Sequence, residues 1–509
     1  GVLDEDRVRT WSDDARQVLG RGHPATARAI LAHSLQQFPT KKSLWMQAVE
    51  LEKGLDESSN ETNNEEDPPD AGSIKHPRLN EALDQVLQAA SERLPRVEVF
   101  WLLRAKEQWL AGFVDASRDT LTKAFEANPD SERVWLAASK LEWETGETER
   151  ARVLLERARE RAPSERVYMK SALLEREAGD HTAALKLIEE GIRKYPSTAP
   201  KLYMMGGQIC SDDLPNKKKQ KQKQMAEAAS PAAATDEAAK GPTKAARTNK
   251  NHLDKARKIY QEGIERCSDN VTLWILASRL EERAHAFGSA PVSSSQQQQQ
   301  QCVTKARSLL ELARLKHPKN DELWLEATRL ERRSGNPKLA ESLMARALQE
   351  CPSSGRLLSE HITTAPRVTQ KSRSANAIKR NPESPLVIAA VAALFETDRK
   401  TAKARKWFER AVLLDKDLGD SWSAYYAFEL DQQNNGKNDA SSSTSSSSQG
   451  AVASAVRERC VKAEPKHGEI WQSVTKEISN RHKTVEESLD LVVTELRRRR
   501  QDLHQQQRR

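Results

Sequence analysis

Cysteine is scarce in this chain of 509 residues: there are five, scattered from Cys210 to Cys460, and no two form a C-x-x-C pair. A disulfide framework of the kind found in small secreted domains is therefore excluded, as is a zinc module built on paired thiolates. No two of the eleven histidines stand four residues apart on a predicted helix, as zinc ligands often do. We expect a reducing compartment and no metal or other cofactor.

Long hydrophobic runs are also missing. The longest, from Leu386 to Phe395, is about half the length that a bilayer span needs. Apolar residues make up 37% of the chain and charged residues 31%, which suits a thin or elongated body better than a deep core. The chain shows no signal-peptide pattern and opens on Gly1 rather than Met, so we expect it to be a piece of a longer protein.

Catalytic motifs are absent as well. The sequence contains no Gly-rich phosphate loop, no H-E-x-x-H and no Ser/His/Asp arrangement. Glu52, Glu142 and Glu281 recur once per repeat, whereas a catalytic pair of carboxylates occurs once in a chain. We therefore predict a non-catalytic protein.

What the chain does contain is a repeat of about 34 residues. Trp101 and Trp135 lie 34 apart, and Tyr168 follows 33 later. A Pro often stands six residues before the aromatic residue, and a Gly stands eleven after it at positions 22, 112, 146, 179 and 335. Each unit therefore predicts a helix A, a Gly cap, a helix B and a Pro-bearing turn. One such hairpin cannot cover its own apolar faces, so the fold predicted is an all-α superhelical solenoid of about twelve hairpins.

Four low-complexity segments lengthen the repeat, always between helix A and helix B. They are predicted to be disordered insertions at 54–76, 211–251, 288–301 and 432–450. The solenoid is expected to span 1–480, and a basic C-terminal helix and tail to span 481–509. Residues 361–385 lack the aromatic and Gly markers, so a distorted or shortened repeat is expected there.

Two sets of repeat residues are candidate structural sites. The anchor position and the Glu seven residues after it are interpreted as packing residues: Trp45, Glu52, Trp101, Trp135, Glu142, Tyr168, Glu175, Trp274, Glu281, Trp324, Glu331, Trp422, Glu429 and Trp471. An Arg in the preceding helix B lies 24 residues before the Glu, or 23 in one unit: Arg28, Arg118, Arg152, Arg257, Arg307 and Arg405. Units without the Glu lack this Arg, so we predict an ion pair between helix B of one unit and helix A of the next.

The pattern Trp-x5-Leu/Phe-Glu followed by Ala-Arg-x-Ile/Leu resembles the half-a-tetratricopeptide (HAT) repeat, whose arrays occur mainly in RNA-processing proteins. Longer strings are similar to the C-terminal repeat region of the pre-mRNA-processing factor 6 family. They include Phe38–Trp45, Leu343–Pro352, Lys416–Trp422 and Ala463–Trp471. The resemblance implies a nuclear spliceosomal scaffold that bridges proteins of the U4/U6-U5 tri-snRNP. The low-complexity insertions depart from that pattern, and the N-terminal part of the family has no counterpart here.

Two other functions stay open: a HAT scaffold of the 3′-end cleavage machinery, and a protein that binds RNA directly. Basic tracts occur at 217–223 and 497–500, but no aromatic residues interleave with the lysines, and the repeat body has little net charge. Direct RNA contact is therefore possible but not indicated by the sequence. The irregular unit offers a candidate partner surface at Lys371, Arg373 and Lys379. Neither a membrane nor a small-molecule substrate is expected.

Overall fold

The computed structural model describes residues 4–63, 79–212, 244–284, 295–438 and 446–508. These residues form 24 α-helices and one short 3-10 turn, and no β-strand occurs among them. The chain divides into two compact units, Gly1–Gly206 and Gly207–Arg509. The predicted all-α class is confirmed.

The helices alternate along the chain as A, with odd numbers, and B, with even numbers. Those of the first unit and its boundary are α1 Asp4–Gly20, α2 Pro24–Gln37, α3 Lys42–Asn63, α4 Glu81–Arg93, α5 Glu98–Leu110, α6 Val114–Ala127, α7 Glu132–Glu144, α8 Thr148–Arg161, α9 Glu165–Ala178, α10 His181–Lys194 and α11 Pro200–Asp212. Those of the second unit are α12 Lys244–Arg266, α13 Val271–Ala284, α14 Ser295–Lys316, α15 Asp321–Arg333, α16 Pro337–Glu350, α17 Gly355–Thr363, α18 Arg367–Arg380, α19 Pro385–Thr397, α20 Thr401–Leu414, α21 Gly419–Asn438, α22 Ser446–Ala463, α23 Glu469–Thr475 and α24 Val485–Arg508.

Within each unit, consecutive helices pack as antiparallel hairpins, and each hairpin stacks on the next. The core is correspondingly divided into many small clusters. Trp135, Ala158 and Val167, for example, bring together helices α7, α8 and α9. Each hairpin therefore depends on its neighbours for burial, as in a repeat solenoid.

The glycines eleven residues after the anchors end their A helices. All five have a positive φ between 81° and 87°, a region that favours residues without a Cβ atom. At the same position after Ile388 the chain carries Arg399, whose φ is 58°. Arg399 is exposed, so its side chain gains little from packing in return for this backbone conformation.

We expect Arg399→Gly to stabilise the second unit. Removing the Cβ atom relieves a left-handed conformation that costs ~1–2 kcal/mol. The greater freedom of Gly in the unfolded chain offsets part of that gain in stability. The net gain should be about 0.5–1 kcal/mol, measured by urea unfolding. Arg399→Ala is the matched control, because it removes the same charge but keeps the Cβ atom. Equal stabilities of the two variants would contradict the backbone explanation.

The tryptophan anchors also hold the turn that precedes them. In six units the indole Nε1 donates a hydrogen bond to the backbone carbonyl six residues earlier, where the previous B helix has ended. The distances are 2.8 Å for Trp45 to Pro39, 3.0 Å for Trp101 to Pro95, 2.8 Å for Trp135 to Pro129, 3.0 Å for Trp274 to Ser268, 2.7 Å for Trp324 to Pro318 and 2.8 Å for Trp422 to Lys416. This contact requires an indole as well as an apolar ring, and it fixes the length of the B-to-A turn.

In the unit with the shorter B-to-A turn, a different side chain donates to the turn carbonyl. Its anchor is Tyr168, which is fully buried and whose hydroxyl donates to Glu190 at 2.8 Å. The carbonyl of Pro163 instead accepts from the hydroxyl of Tyr195, on the following turn, at 2.8 Å. The tyrosine at the end of the B helix of the same unit thus replaces the indole of the anchor as the donor to the turn.

The bounds of the insertions predicted from the sequence need correction. Helices extend into the ends of all four insertions that were predicted to be disordered: α3 continues to Asn63, α14 begins at Ser295, and α21 runs to Asn438. These flanks contain Gln and Glu but also Asn and Ser. Because elongating a helix that is already formed on the packed side costs little, the helix extends through such residues. The centres of the insertions lie outside the described residues. The irregular unit is shortened as expected, because α17 has nine residues and ends just before Pro366.

Candidate interaction surfaces

The predicted Arg and Glu side chains meet in all six units. Each guanidinium donates twice to its carboxylate, through Nε and Nη2, at distances between 2.6 and 2.9 Å. The pairs are Arg28–Glu52, Arg118–Glu142, Arg152–Glu175, Arg257–Glu281, Arg307–Glu331 and Arg405–Glu429. The planar guanidinium matches the carboxylate in this fork geometry, which fixes orientation as well as distance.

The two partners of each pair differ in exposure. The glutamates are buried, and Glu331 and Glu429 are each 1% exposed. The arginines reach them from the rim, and the Arg405 side chain remains 38% exposed. The hydrogen bonds that Arg118 donates to Glu142 raise the pKa of its guanidinium above its ordinary value. A carboxylate buried to this degree is costly without its guanidinium partner. These pairs therefore connect adjacent repeats and differ from ordinary exposed surface pairs.

In one unit the acidic and the donor side chains of this pair exchange helices, which the sequence analysis missed. Asp84 on helix B accepts from Gln108 at the usual spacing of 24 residues, at 3.1 Å, and from Arg104 through two further bonds of 2.9 and 3.0 Å. The acidic group has moved to helix B and the donors to helix A. The signal was present, because Gln108 and Asp84 occupy the two positions of the pair.

A second series of ion pairs joins successive A helices of the second unit. Arg279 on α13 contacts Glu326 on α15 at 2.6 Å, and Arg329 on α15 contacts Glu360 on α17 at 2.9 Å. In both, the Arg stands five residues after its anchor and the Glu two after the next. Burial opposes ionisation of Glu326, but attraction and hydrogen bonds from Arg279 and Arg333 lower its pKa to about 2. These contacts line a surface distinct from that of the B helices.

Contacts over long sequence separations show that this A-helix surface is concave in the second unit. Arg329 also contacts Glu469 on α23, at 2.6 Å and 140 residues away. From α24, Arg500 reaches Glu396 at 3.4 Å, and Arg497 contacts Asp431. We call this surface of α13, α15, α17, α19, α21 and α23 the inner face. Part of α24 lies along it.

The three residues of the predicted partner surface differ in their contacts and in their exposure. Arg373 bonds to Glu341 of α16 at 2.6 Å and is 20% exposed, so it contributes to the packing of the irregular unit. Lys371 is 71% exposed and lies 3.4 Å from Asp398, and Lys379 is exposed. All three belong to the B helix α18 rather than to the inner face. Their role as a contact for a partner stays a prediction.

The aromatic anchors are packed as core residues. All eight predicted anchors are 9% exposed or less. Within the described ranges no cluster of three or more His, Cys, Asp or Glu residues is arranged to hold a metal ion. No described helix combines the length and the apolar character needed to cross a membrane.

Comparison with known proteins agrees with this architecture. A sequence profile of the tetratricopeptide repeat matches residues 111–174. The pre-mRNA-splicing factor prp1 of Schizosaccharomyces pombe is 33% identical over 496 residues, which is 97% of this chain and 45% of that protein. The chain is a homologue of the pre-mRNA-processing factor 6 proteins. The human pre-mRNA-processing factor 6 is 39% identical over 126 residues, 25% of this chain and 12% of that protein.

A plant protein shows similar likeness. STABILIZED1 of Arabidopsis thaliana is 41% identical over 132 residues, 26% of this chain and 11% of that protein. The chain thus spans less than half the length of the relatives it matches, and the likeness to the yeast splicing factor runs through nearly all of its repeats. The family predicted from the repeat strings is confirmed.

Proposed function

We propose that this chain is a non-catalytic scaffold of pre-mRNA splicing that holds protein partners of the U4/U6-U5 tri-snRNP in fixed relative positions in the nucleus. The observation that carries the splicing assignment is the 33% identity to a splicing factor over 97% of the chain. Stacked hairpins joined by buried bidentate ion pairs provide the rigidity that a scaffold needs. Bridging the tri-snRNP in particular rests on the resemblance of the repeat strings.

The surface proposed to bind proteins is that of the A helices. In the first unit it carries exposed Lys106 on α5 and Lys140 on α7, each five residues after its anchor. In the second unit the same position is taken by Arg279 and Arg329, which are bound to glutamates of the next repeat. Within each unit, a surface of stacked helices suits an extended partner better than a small molecule.

The test compares two matched charge reversals in a tagged chain added to nuclear extract. Lys106→Glu with Lys140→Glu changes the A-helix surface, and Lys123→Glu with Arg157→Glu makes the same change of charge on exposed B-helix positions. Quantitative mass spectrometry should recover tri-snRNP proteins with the unaltered chain and the B-helix variant, and about tenfold less with the A-helix variant, because a like charge at an interface costs several kcal/mol. Deleting 288–301 or 432–450 should leave recovery unchanged.

Two outcomes would assign a different function. Recovery of polyadenylation factors without snRNP proteins would favour the 3′-end cleavage machinery. Equal loss with both variants would show that net charge, rather than the A-helix surface, determines recovery.

A further inference from the structure

Almost all of the net charge of the chain is concentrated in one short segment. Residues 367–410 contain eleven basic and four acidic residues, a net charge of +7, whereas the whole chain carries +8. The rest of the chain is therefore close to neutral. The low net charge of the repeat body as a whole argued against a nucleic-acid surface, because averaging over the whole body does not show a local concentration of charge.

Two of these eleven cations are arginines that pair with carboxylates of other repeats. Arg405 is bound to Glu429 and Arg373 to Glu341, and both bonds hold repeats together. The other nine are exposed on or beside two B helices, α18 and α20, and we call them the basic face: Arg367, Lys371, Lys379, Arg380, Arg399, Lys400, Lys403, Lys406 and Arg410. None of the nine lies in a core cluster.

Contacts at both ends hold α20 alongside α18. At the start of the two helices, Lys371 and Lys400 both approach the same oxygen of Asp398, at 3.4 and 3.6 Å. At the far end, Arg410 donates to the carbonyl of Pro382, just after α18, at 3.4 Å. The lysines and arginines of both helices consequently form one continuous surface.

Spacing places the cations of α20 on a single side of that helix. Lys403, Lys406 and Arg410 follow each other at intervals of three and four residues. Like charges at such intervals repel, by about 0.2–0.5 kcal/mol per pair. The arrangement therefore lowers the stability of the helix slightly, and fold stability does not explain it. Binding of a polyanionic ligand would explain this arrangement of cations.

We propose that the basic face binds the sugar–phosphate backbone of RNA, in addition to the protein contacts proposed above and independently of them. Exposed lysines on rigid helices bind phosphates electrostatically and without sequence preference. Trp407, beside the face, is half-buried against Phe395 and covered by Arg410, 5.7 Å from its ring. Base stacking on that ring is thus blocked, and the contact is limited to the backbone.

An acidic protein surface fits less well. Stable protein interfaces bury an apolar core surrounded by a polar rim, whereas nucleic-acid interfaces are more polar and strongly positive. The centre of the basic face carries Lys371, Lys379, Lys403 and Lys406. The large apolar side chains exposed on these two helices, Val368, Leu413 and Leu414, stand at the first turn of α18 and the last turn of α20, outside that centre.

The test measures binding of a fluorescein-labelled oligouridylate of about 20 nucleotides by anisotropy, as a function of KCl concentration. The test variant reverses four exposed lysines of the basic face: Lys371→Glu, Lys379→Glu, Lys403→Glu and Lys406→Glu. The control variant reverses four exposed cations on other B helices: Lys123→Glu, Arg157→Glu, Lys186→Glu and Lys258→Glu. Both variants have the same net charge, so they separate a local surface from the overall charge. Thermal unfolding followed by circular dichroism checks that both remain folded.

We expect the test variant to bind at least about tenfold more weakly than the unaltered chain at physiological salt. The slope of log K against log[KCl] should become shallower by about 3, because four phosphate contacts of a single strand are lost. The control should stay within about threefold. Equal losses in both variants, no binding by the unaltered chain, or tighter binding of a polyglutamate peptide than of the oligonucleotide would each overturn the proposal.

Discussion

Trp135→Ala is expected to destabilise the first unit by ~3–5 kcal/mol, since it removes a buried indole that three helices share. The side chain packs on Ala158 and Val167, lies 4.3 Å from the ring of Phe125, and donates to the carbonyl of Pro129. Trp135→Phe keeps most of the packing but leaves that carbonyl without its donor, so we expect a smaller loss of about 1–2 kcal/mol. Chemical unfolding of the full chain measures both values.

The damage from Trp135→Ala should also be local, because each repeat contacts mainly its neighbours. Hydrogen exchange should accelerate in helices α6 to α9 and stay unchanged in helices α19 to α24. Phe113→Ala is the matched aromatic control: Phe113 is 53% exposed, and its removal should change stability by about 0.5 kcal/mol or less. Equal acceleration throughout the chain would show that the array unfolds as one cooperative body.

Arg405→Ala is expected to destabilise the second unit by about 3 kcal/mol, because it leaves the carboxylate of Glu429 buried without its guanidinium. We place the value at the low end of the range for broken buried pairs, since the Arg405 side chain is 38% exposed and water can enter the space it vacates. Urea unfolding of the full chain, followed by hydrogen exchange in helices α20 and α21, measures the effect and its location.

Two further variants test the origin of that loss. Arg405→Met combined with Glu429→Leu should recover most of the stability, because no charge then remains buried. Arg16→Ala removes one member of the exposed Arg16–Asp13 pair and should change stability by about 0–1 kcal/mol. A loss of similar size for Arg405→Ala and Arg16→Ala would mean that burial of the carboxylate adds nothing.

The features that follow a fixed spacing could be predicted from the sequence. The five glycines eleven residues after their anchors all adopt a positive φ. The bidentate contact of Arg257 with Glu281 lies at the spacing that predicted it. The glycine position depends on the length of helix A, and the ion pair depends on the turn from helix B to the next helix A, which is one residue shorter in a single unit. Both lengths are nearly constant, so a residue count along the chain is enough to place these features.

Contacts between distant or unevenly spaced residues could not be predicted in this way. Arg329 and Glu360 are 31 residues apart, the separation that a regular 34-residue repeat gives, but Arg279 and Glu326 are 47 apart because an insertion lies between them. The contact of Arg329 with Glu469 depends on how the inner face curves, and curvature accumulates from small rotations between repeats. The indole–carbonyl bond had a visible signal, the Pro six residues before the Trp, but we interpreted that Pro only as a helix breaker.

The turn from helix B to the next helix A and the connection from helix A to helix B differ in the contacts that span them. The indole–carbonyl bond and the Arg–Glu pair both span the turn from helix B to the next helix A, and all four insertions lie in the other connection, from helix A to helix B. A fluorescent protein or a dye-labelled peptide placed after Gly72 or Gly288 would therefore leave every one of those contacts at its original spacing. The chain thus offers ready positions for donor and acceptor labels, with which the distance between chosen repeats can be followed while partners assemble on it.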